Sequence, residues 1–208
     1  MSNQDGKKGI LVVVSGFSGA GKGALMKKLV ARYDRYALSV SMTTRPPRLG
    51  EADGREYYFV SRERFEETIA AGGLIEYATY ADNYYGTPSE YVEREQNTGK
   101  DVILEIETQG ALKVKERFPE ALLLFVVPPS IDELRRRIAK RGTESSEDIE
   151  KRLRWARKEA DSIERYDYIV INDDLDECVE YLHSIITAAR SAPGHNREFI
   201  EQLRADLS

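Results

Sequence analysis

The stretch Gly16-Phe17-Ser18-Gly19-Ala20-Gly21-Lys22 carries the most chemistry per residue in this chain. Glycines at this spacing let a loop turn its backbone N–H groups inward around an oxyanion. A helix starting at the end of the loop adds partial positive charge. Lys22 adds a full charge, suited to the β- and γ-phosphates of a nucleoside triphosphate. The G-x-x-x-x-G-K core lies directly between a β-branched apolar run, Ile10 to Val14, and a helical pattern, Lys22 to Tyr33. That context separates it from a glycine-rich turn that binds nothing. The position after the lysine usually offers a hydroxyl to Mg²⁺. Here it is Gly23, followed by Ala24. No direct metal ligand is therefore assigned. The ion would rely on phosphate oxygens, waters and a more distant carboxylate, a tolerable arrangement because Mg²⁺ keeps several waters.

Three further groups stand out. Ser41-Met42-Thr43-Thr44-Arg45-Pro46-Pro47-Arg48-Leu49-Gly50-Glu51 sets two arginines three apart, among hydroxyls and stiffened by prolines. Planar guanidinium donors in such a loop can grip a dianionic phosphate bidentately, although alone the loop reads as a solvated basic surface. Glu105 and Glu107 stand two apart on one predicted strand and share a face. They end an apolar run, where α/β sheets place ligands. Arg137 and Arg141 lie one helical turn apart, and Arg152 follows beyond a polar segment. A solvated helix face is the plain reading for their neighbours Arg135 and Arg136.

Positioning these groups requires a scaffold, and the apolar pattern supplies one. Strands are predicted over Ile10 to Val14, Ala37 to Val40, Asp101 to Glu107, Leu122 to Val127 and Tyr168 to Ile171. Helices are predicted over Lys22 to Tyr33, Arg62 to Ala71, Gln109 to Phe118, Ile131 to Arg141, Ile149 to Arg165 and Leu175 to Arg190. Strands alternating with helices imply an α/β fold with a parallel sheet covered on both faces. Residues 41 to 97 break the alternation with a Pro/Gly loop (Thr43 to Glu56), many tyrosines and short strands around an Asp82-Asn83 turn. They read as an inserted lobe of about 41–97 in a core of about 10–40 and 98–190. Beyond Pro193-Gly194, Phe199, Ile200, Leu203 and Leu207 mark a short amphipathic tail, residues 191–208, that could dock on the body or on another chain.

The bulk numbers agree with one domain. The chain has 208 residues, 41% of them hydrophobic and 32% charged, enough to fill a core and cover it. No apolar run approaches the roughly 20 residues that span a bilayer, and Met1 to Gly9 lacks an apolar signal region. A cytoplasmic protein without a membrane partner is expected. The formal net charge is −5, a poor basis for binding nucleic acid. The single cysteine, Cys178, allows no intrachain disulfide, and two histidines form no zinc site. Oligomeric state is left open.

The motifs fall in a recognisable order. After the phosphate loop come S-x-T-T-R-x-P-R-x-G-E, D-G-R-E-Y-Y-F, L-I-E-Y-A, N-Y-Y-G-T, I-L-E-I-E-x-Q-G, K-R-G-T-E and I-N-D-D-L. This series, over about residues 10 to 190, resembles the guanylate kinase family: P-loop nucleoside monophosphate kinases with a GMP-binding lobe and a mobile lid, here about 138–155. The resemblance implies transfer of the γ-phosphate of ATP to GMP with Mg²⁺, in purine nucleotide metabolism and GMP recycling. It implies that Gly16, Phe17, Ser18, Gly19, Ala20, Gly21, Lys22 and Gly23 hold ATP, with Asn172 near the adenine. Lys22, Arg45, Arg137, Arg141 and Arg152 are then the catalytic charges. Ser41, Arg45, Arg48, Tyr57 and Tyr85 match residues that hold the GMP phosphate. Glu51 is expected to orient an arginine. Glu76, Thr87 and Glu107 match residues that read guanine. Glu105, counted with the GMP side, matches an acidic residue near Mg²⁺, which it would reach through water.

At position 107 the family often has Asp, one methylene shorter. Carboxylates suit guanine, which presents N1–H and an N2 amino group as donors. Adenine lacks that pair and would leave a buried acceptor unpaired. Two rivals exist: a guanylate kinase-like scaffold that binds a protein ligand in the GMP cleft, towards which Gly23 and Ala24 lean, and a kinase for another phosphorylated small molecule. The complete set of basic residues argues against the first. Glu76 together with Glu107 argues against the second.

Overall fold

The computed structural model describes residues 8–80, 82–139 and 146–208. Five parallel strands form the main sheet: β1 (Leu11–Gly16), β2 (Tyr36–Leu38), β7 (Asp101–Glu105), β8 (Leu122–Val127) and β9 (Tyr168–Ile171), in the order β2-β7-β1-β8-β9. β1 is central. It pairs in register Leu11 to Val102 through Val14 to Glu105 on one side, and Val12 to Leu122 through Gly16 to Val126 on the other. Its residues are all buried, as a strand covered on both faces must be. Each of the five strands coincides with an apolar run predicted above, shifted by no more than two residues at either end.

The helices α1 (Lys22–Arg32), α4 (Thr108–Arg117), α5 (Ile131–Ala139), α6 (Ser146–Ala160) and α7 (Leu175–Ala189) accompany this sheet. Leu25, Met26 and Leu29 of α1, Val114 of α4, Leu134 and Ile138 of α5 and Val179, Leu182 and Ile186 of α7 join the strand side chains in one core. Cys178 is buried in α7. Asp174 caps α7 by accepting from the N–H groups of Asp176 and Glu177 at 2.8 and 3.0 Å. The helix predicted over Ile149 to Arg165 is interrupted. α6 ends at Ala160, and a separate 3₁₀ turn covers Ile163–Arg165. A break there lets the chain turn into β9.

A second sheet of four strands carries β3 (Ser41–Thr43), β4 (Tyr57–Phe59), β5 (Leu74–Tyr80) and β6 (Asn83–Pro88), in the order β4-β3-β6-β5. Helix α2 (Arg62–Ala70) packs on it, capped by Ser61, and α3 (Ser89–Asn97) leads back to β7. Met42, Phe65 and Leu74 form a small core of their own. The tail contains a helix, α8 (Arg197–Asp206), with no buried residue and with Phe199, Leu203 and Leu207 exposed. Among the described residues no helix is long and apolar enough to cross a membrane.

The candidate active site

The loop between β1 and α1 is shaped by what it cannot accommodate. A Cβ at Gly16 would stand 2.1 Å from the Val126 carbonyl oxygen, so only glycine lets β1 leave the sheet here. Gly21, at the start of α1, has φ +94°, a left-handed conformation that costs glycine little. α1 then begins with no capping side chain and no acidic residue in its first turn. Its leading N–H groups are therefore free to bind an anion. Two side chains brace the loop from outside: Asn172 Nδ2 donates to the Ala20 carbonyl at 2.8 Å, and Arg137 Nη1 donates to the same oxygen at 3.2 Å. Arg137 is aimed by Glu133, which accepts from its Nε at 2.6 Å. Arg136 and Arg137 together hold the Glu133 carboxyl down at about 2. Lys22 folds over the loop, its Nζ donating to the carbonyls of Gly16 and Phe17 at 2.5 and 3.2 Å.

Glu105 faces this loop from the end of β7. A Cβ at Gly23 would lie 4.0 Å from Glu105 Oε1. The position where related loops carry a hydroxyl thus looks directly at a carboxylate. Glu105 is accessible to water yet crowded by protein, as on the floor of a cleft. The crowding pushes its carboxyl above the usual range, and Lys22 and Lys27 pull it back. This donor set fits Mg²⁺ held mainly by phosphate oxygens and water. Among the described residues no cluster of three or more potential ligands gathers anywhere.

On the lobe, the pairing of β5 with β6 slips by one residue between Leu74 and Tyr77. The bulge allows Leu74, Ile75 and Glu76 to be buried in succession, which a regular strand would not permit. Leu74 enters the lobe core and Ile75 the main core. Glu76 turns to Thr87, whose hydroxyl donates to its Oε1 at 2.9 Å. Burial raises the Glu76 carboxyl, with Thr87 and Lys113 acting against it. Arg45 is gripped bidentately by Glu51, both contacts at 3.0 Å, and Glu51 Oε2 also accepts from the Arg48 backbone N–H at 2.7 Å. The Arg45 guanidinium lies 5.5 Å from the centre of the Tyr57 ring, and Tyr57 meets Tyr85 edge to face. Ser41 opens the adjoining β3 and pairs with Tyr57. Arg45, Tyr57 and Tyr85 are thus one group, with Glu51 orienting the arginine.

Glu107 stands immediately before α4 but does not cap it. Burial, with the nearby Glu107 charge, pushes the Glu159 carboxyl on α6 up to about 7, against the pull of Lys22. Arg152 lies half-buried on the same helix. Arg141 falls outside the described residues, as does most of the segment leading into α6.

A family model described as guanylate kinase matches residues 8–189. The chain belongs to the guanylate kinase family. It is 48% identical to a guanylate kinase of Caldanaerobacter subterraneus over 96% of this chain and 97% of that one. It is also 48% identical to one of Thermus thermophilus over 98% and 91%. The solved structure of a guanylate kinase from Anaplasma phagocytophilum superposes with a TM-score of 0.74 at 33% identity, covering 94% of this chain and 95% of that one. Within this family frame, sequence reasoning did not single out Glu133, Gly110 or Glu159. Gly110 ends the motif I-L-E-I-E-x-Q-G, and Glu159 left a fainter trace. It is a charged residue on the inward stripe of α6 that also holds Ile149, Arg152, Leu153 and Ala156.

Proposed function

We propose that this guanylate kinase family member transfers the γ-phosphate of ATP to GMP, giving ADP and GDP, in the cytoplasm. The observation that carries the reading is the meeting of two unlike sites in one family fold. A phosphate loop with free helix N–H groups stands at one end of the main sheet. A lobe with a buried carboxylate–hydroxyl pair, Glu76 with Thr87, and a tyrosine-flanked arginine, Arg45, stands beside it.

In this reading the backbone of Gly16 to Gly23 and Lys22 hold the ATP phosphates, with Asn172 and Arg137 keeping the loop in shape from behind. Lys22 leaves the carbonyls of Gly16 and Phe17 for phosphate oxygens when ATP arrives. Ser41, Arg45, Arg48, Tyr57 and Tyr85 take the GMP phosphate, and Glu51 keeps Arg45 planar and aimed at it. Glu76 and Glu107 accept from the guanine N1–H and N2 amino group, with Thr87 fixing Glu76. Arg141 and Arg152 add charge around the transferring group, joined by Arg137 once it leaves the Ala20 carbonyl. Phosphoryl transfer needs no protein nucleophile, and positioning with charge stabilisation supplies nearly all the catalysis. Mg²⁺, with Glu105 reaching it through water, would neutralise charge on the β- and γ-phosphates when bound.

The test is an ADP-release assay with ATP and Mg²⁺, comparing GMP, AMP, UMP and CMP. Turnover confined to GMP is expected. Folded protein that turns over none of them would overturn the reading.

A further inference from the structure

The bulge that buries Glu76 leaves part of the β5 backbone in need of donors. β5 is the last strand of the four-stranded sheet, so one of its edges has no neighbouring strand. Where its pairing with β6 slips, Ile75 and Glu76 together stand against Thr87. Ladder hydrogen bonds are lost at such a place, and a carbonyl turned into protein must find another partner. The partners come from α4. Arg117 Nη1 donates to the Leu74 carbonyl at 2.7 Å and to the Ile75 carbonyl at 3.3 Å. Lys113 Nζ donates to the Tyr77 carbonyl at 3.2 Å. The backbone is therefore held immediately before Glu76 and immediately after it.

The sequence of α4 is ordered for this contact. Gly110, Lys113 and Arg117 follow one another at intervals of three and four, and so lie on one helix face. Gly110 leaves room for the Glu76 carboxylate, and the two basic residues grip the carbonyls on either side of it. Arg117 stands in the last turn of α4, where a basic side chain ordinarily serves the carbonyls of its own helix. Here it reaches across to β5 instead, with its guanidinium 5.3 Å from the centre of the Phe118 ring. Through Val114, α4 belongs to the main core, whereas Leu74 belongs to the core of the lobe. A helix fixed to the large sheet thus sets the backbone of a strand in the small one. Pairing with β6 alone does not do this, because the bulge interrupts that pairing at Glu76.

We propose that Arg117 and Lys113 are positioning residues for guanine recognition, fixing the β5 bulge from α4 and with it the Glu76 carboxylate. The inference rests on the reading that Glu76 contacts guanine. The selectivity of the lobe is then set partly from outside the lobe, by two donors on the main body.

The test is a double-mutant cycle on the full chain. Arg117→Met keeps an aliphatic stem and removes the guanidinium. It is expected to raise KM for GMP about 3- to 10-fold, the range of one hydrogen bond, with KM for ATP and kcat little changed. Arg117→Lys, whose ammonium can still donate to the carbonyls, should restore most of the affinity. Lys113→Met should raise KM for GMP in the same way. In a Glu76→Gln background, itself poor with GMP, Arg117→Met should cost less than about twofold more. Additive losses in the cycle, equal losses for ATP and GMP, or an unchanged KM for GMP in folded Arg117→Met would each overturn the positioning role. Should Arg117→Met fail to fold, Lys113→Met decides, and an unchanged KM for GMP there would overturn it. An unchanged kcat/KM for GMP in Glu76→Gln would instead overturn the guanine reading of Glu76, and this inference with it.

Discussion

Replacing Gly110 by alanine loads the Glu76 carboxylate, the proposed guanine acceptor. Gly110 lies in the first turn of α4. A Cβ built there stands 2.8 Å from Glu76 Oε2 and 3.4 Å from Glu76 Cδ and Ile106 Cδ1. The first distance is about 0.6 Å short of ordinary contact, so the carboxylate must move. It has little room, since Glu76 is buried and its other oxygen is bonded to Thr87. Displacing it weakens a charged hydrogen bond to guanine, worth about 1.5–3 kcal/mol. That corresponds to a loss of about 10- to 150-fold in kcat/KM for GMP. Stability should fall by about 0–2 kcal/mol. Alanine in a helix interior gains about 1 kcal/mol over glycine, and overpacking costs about 1–3 kcal/mol. The assay is steady-state kinetics with GMP varied at saturating ATP, then the reverse, alongside a thermal melt. A folded Gly110→Ala protein whose kcat/KM for GMP stays within about twofold of the parent would refute the placement of guanine against Glu76.

Other outcomes follow from the same geometry. Arg45→Ala should lower kcat/KM for GMP by about 10- to 150-fold, the loss of a charge-assisted contact, while ATP affinity measured by titration stays near that of the parent. Equal losses for both substrates would remove Arg45 from the GMP side. Gly23→Ser meets open space except for Glu105 Oε1 at 4.0 Å. It should fold normally and lower the Mg²⁺ concentration for half-maximal rate, and a raised requirement would contradict a metal beside Glu105. Glu133 is held at about 2 by Arg136 and Arg137. Its folded-state value is depressed, so its contribution is complete above the ordinary value of 4.5 and is lost as pH falls towards 2. The stability difference between the parent and Glu133→Gln, read by urea melts, should be constant above about pH 5.5 and shrink below it.

What was legible in the sequence follows the range of the forces involved. β1, the phosphate loop and α1 are local: a β-branched run, obligatory glycines and a 3.6-residue apolar repeat each act within a few residues. β3 and β4 are three residues long, too short for a pattern, and exist because β6 and each other complete their pairing. α3 went unread for a related reason. Of its nine residues, most of them polar or charged, only Val92 is buried, so packing against β7 rather than periodicity makes it a helix. The family motifs grouped Arg45 with Tyr57 and Glu76 with Thr87, and the fold brings each pair into contact. The supporting residues stayed hidden. Glu133 looks like an ordinary surface glutamate until Arg137 is seen turned towards the loop. Glu159 lies near the charge of Glu107, 52 residues away in the chain.

The two hydrophobic clusters differ greatly in size, and that difference sets how the molecule opens. Three buried apolar side chains, Met42, Phe65 and Leu74, hold the four-stranded sheet together, whereas the main core runs through every strand of the larger sheet. A segment with so little buried apolar contact unfolds locally at a lower free energy than the whole. Amide protons of β3, β4 and β6 should therefore exchange with deuterium while those of β1 and β8 stay protected. A nucleotide bridging Arg45 and Glu76 would slow that exchange by tying the small sheet shut, so substrate serves the lobe as part of its core.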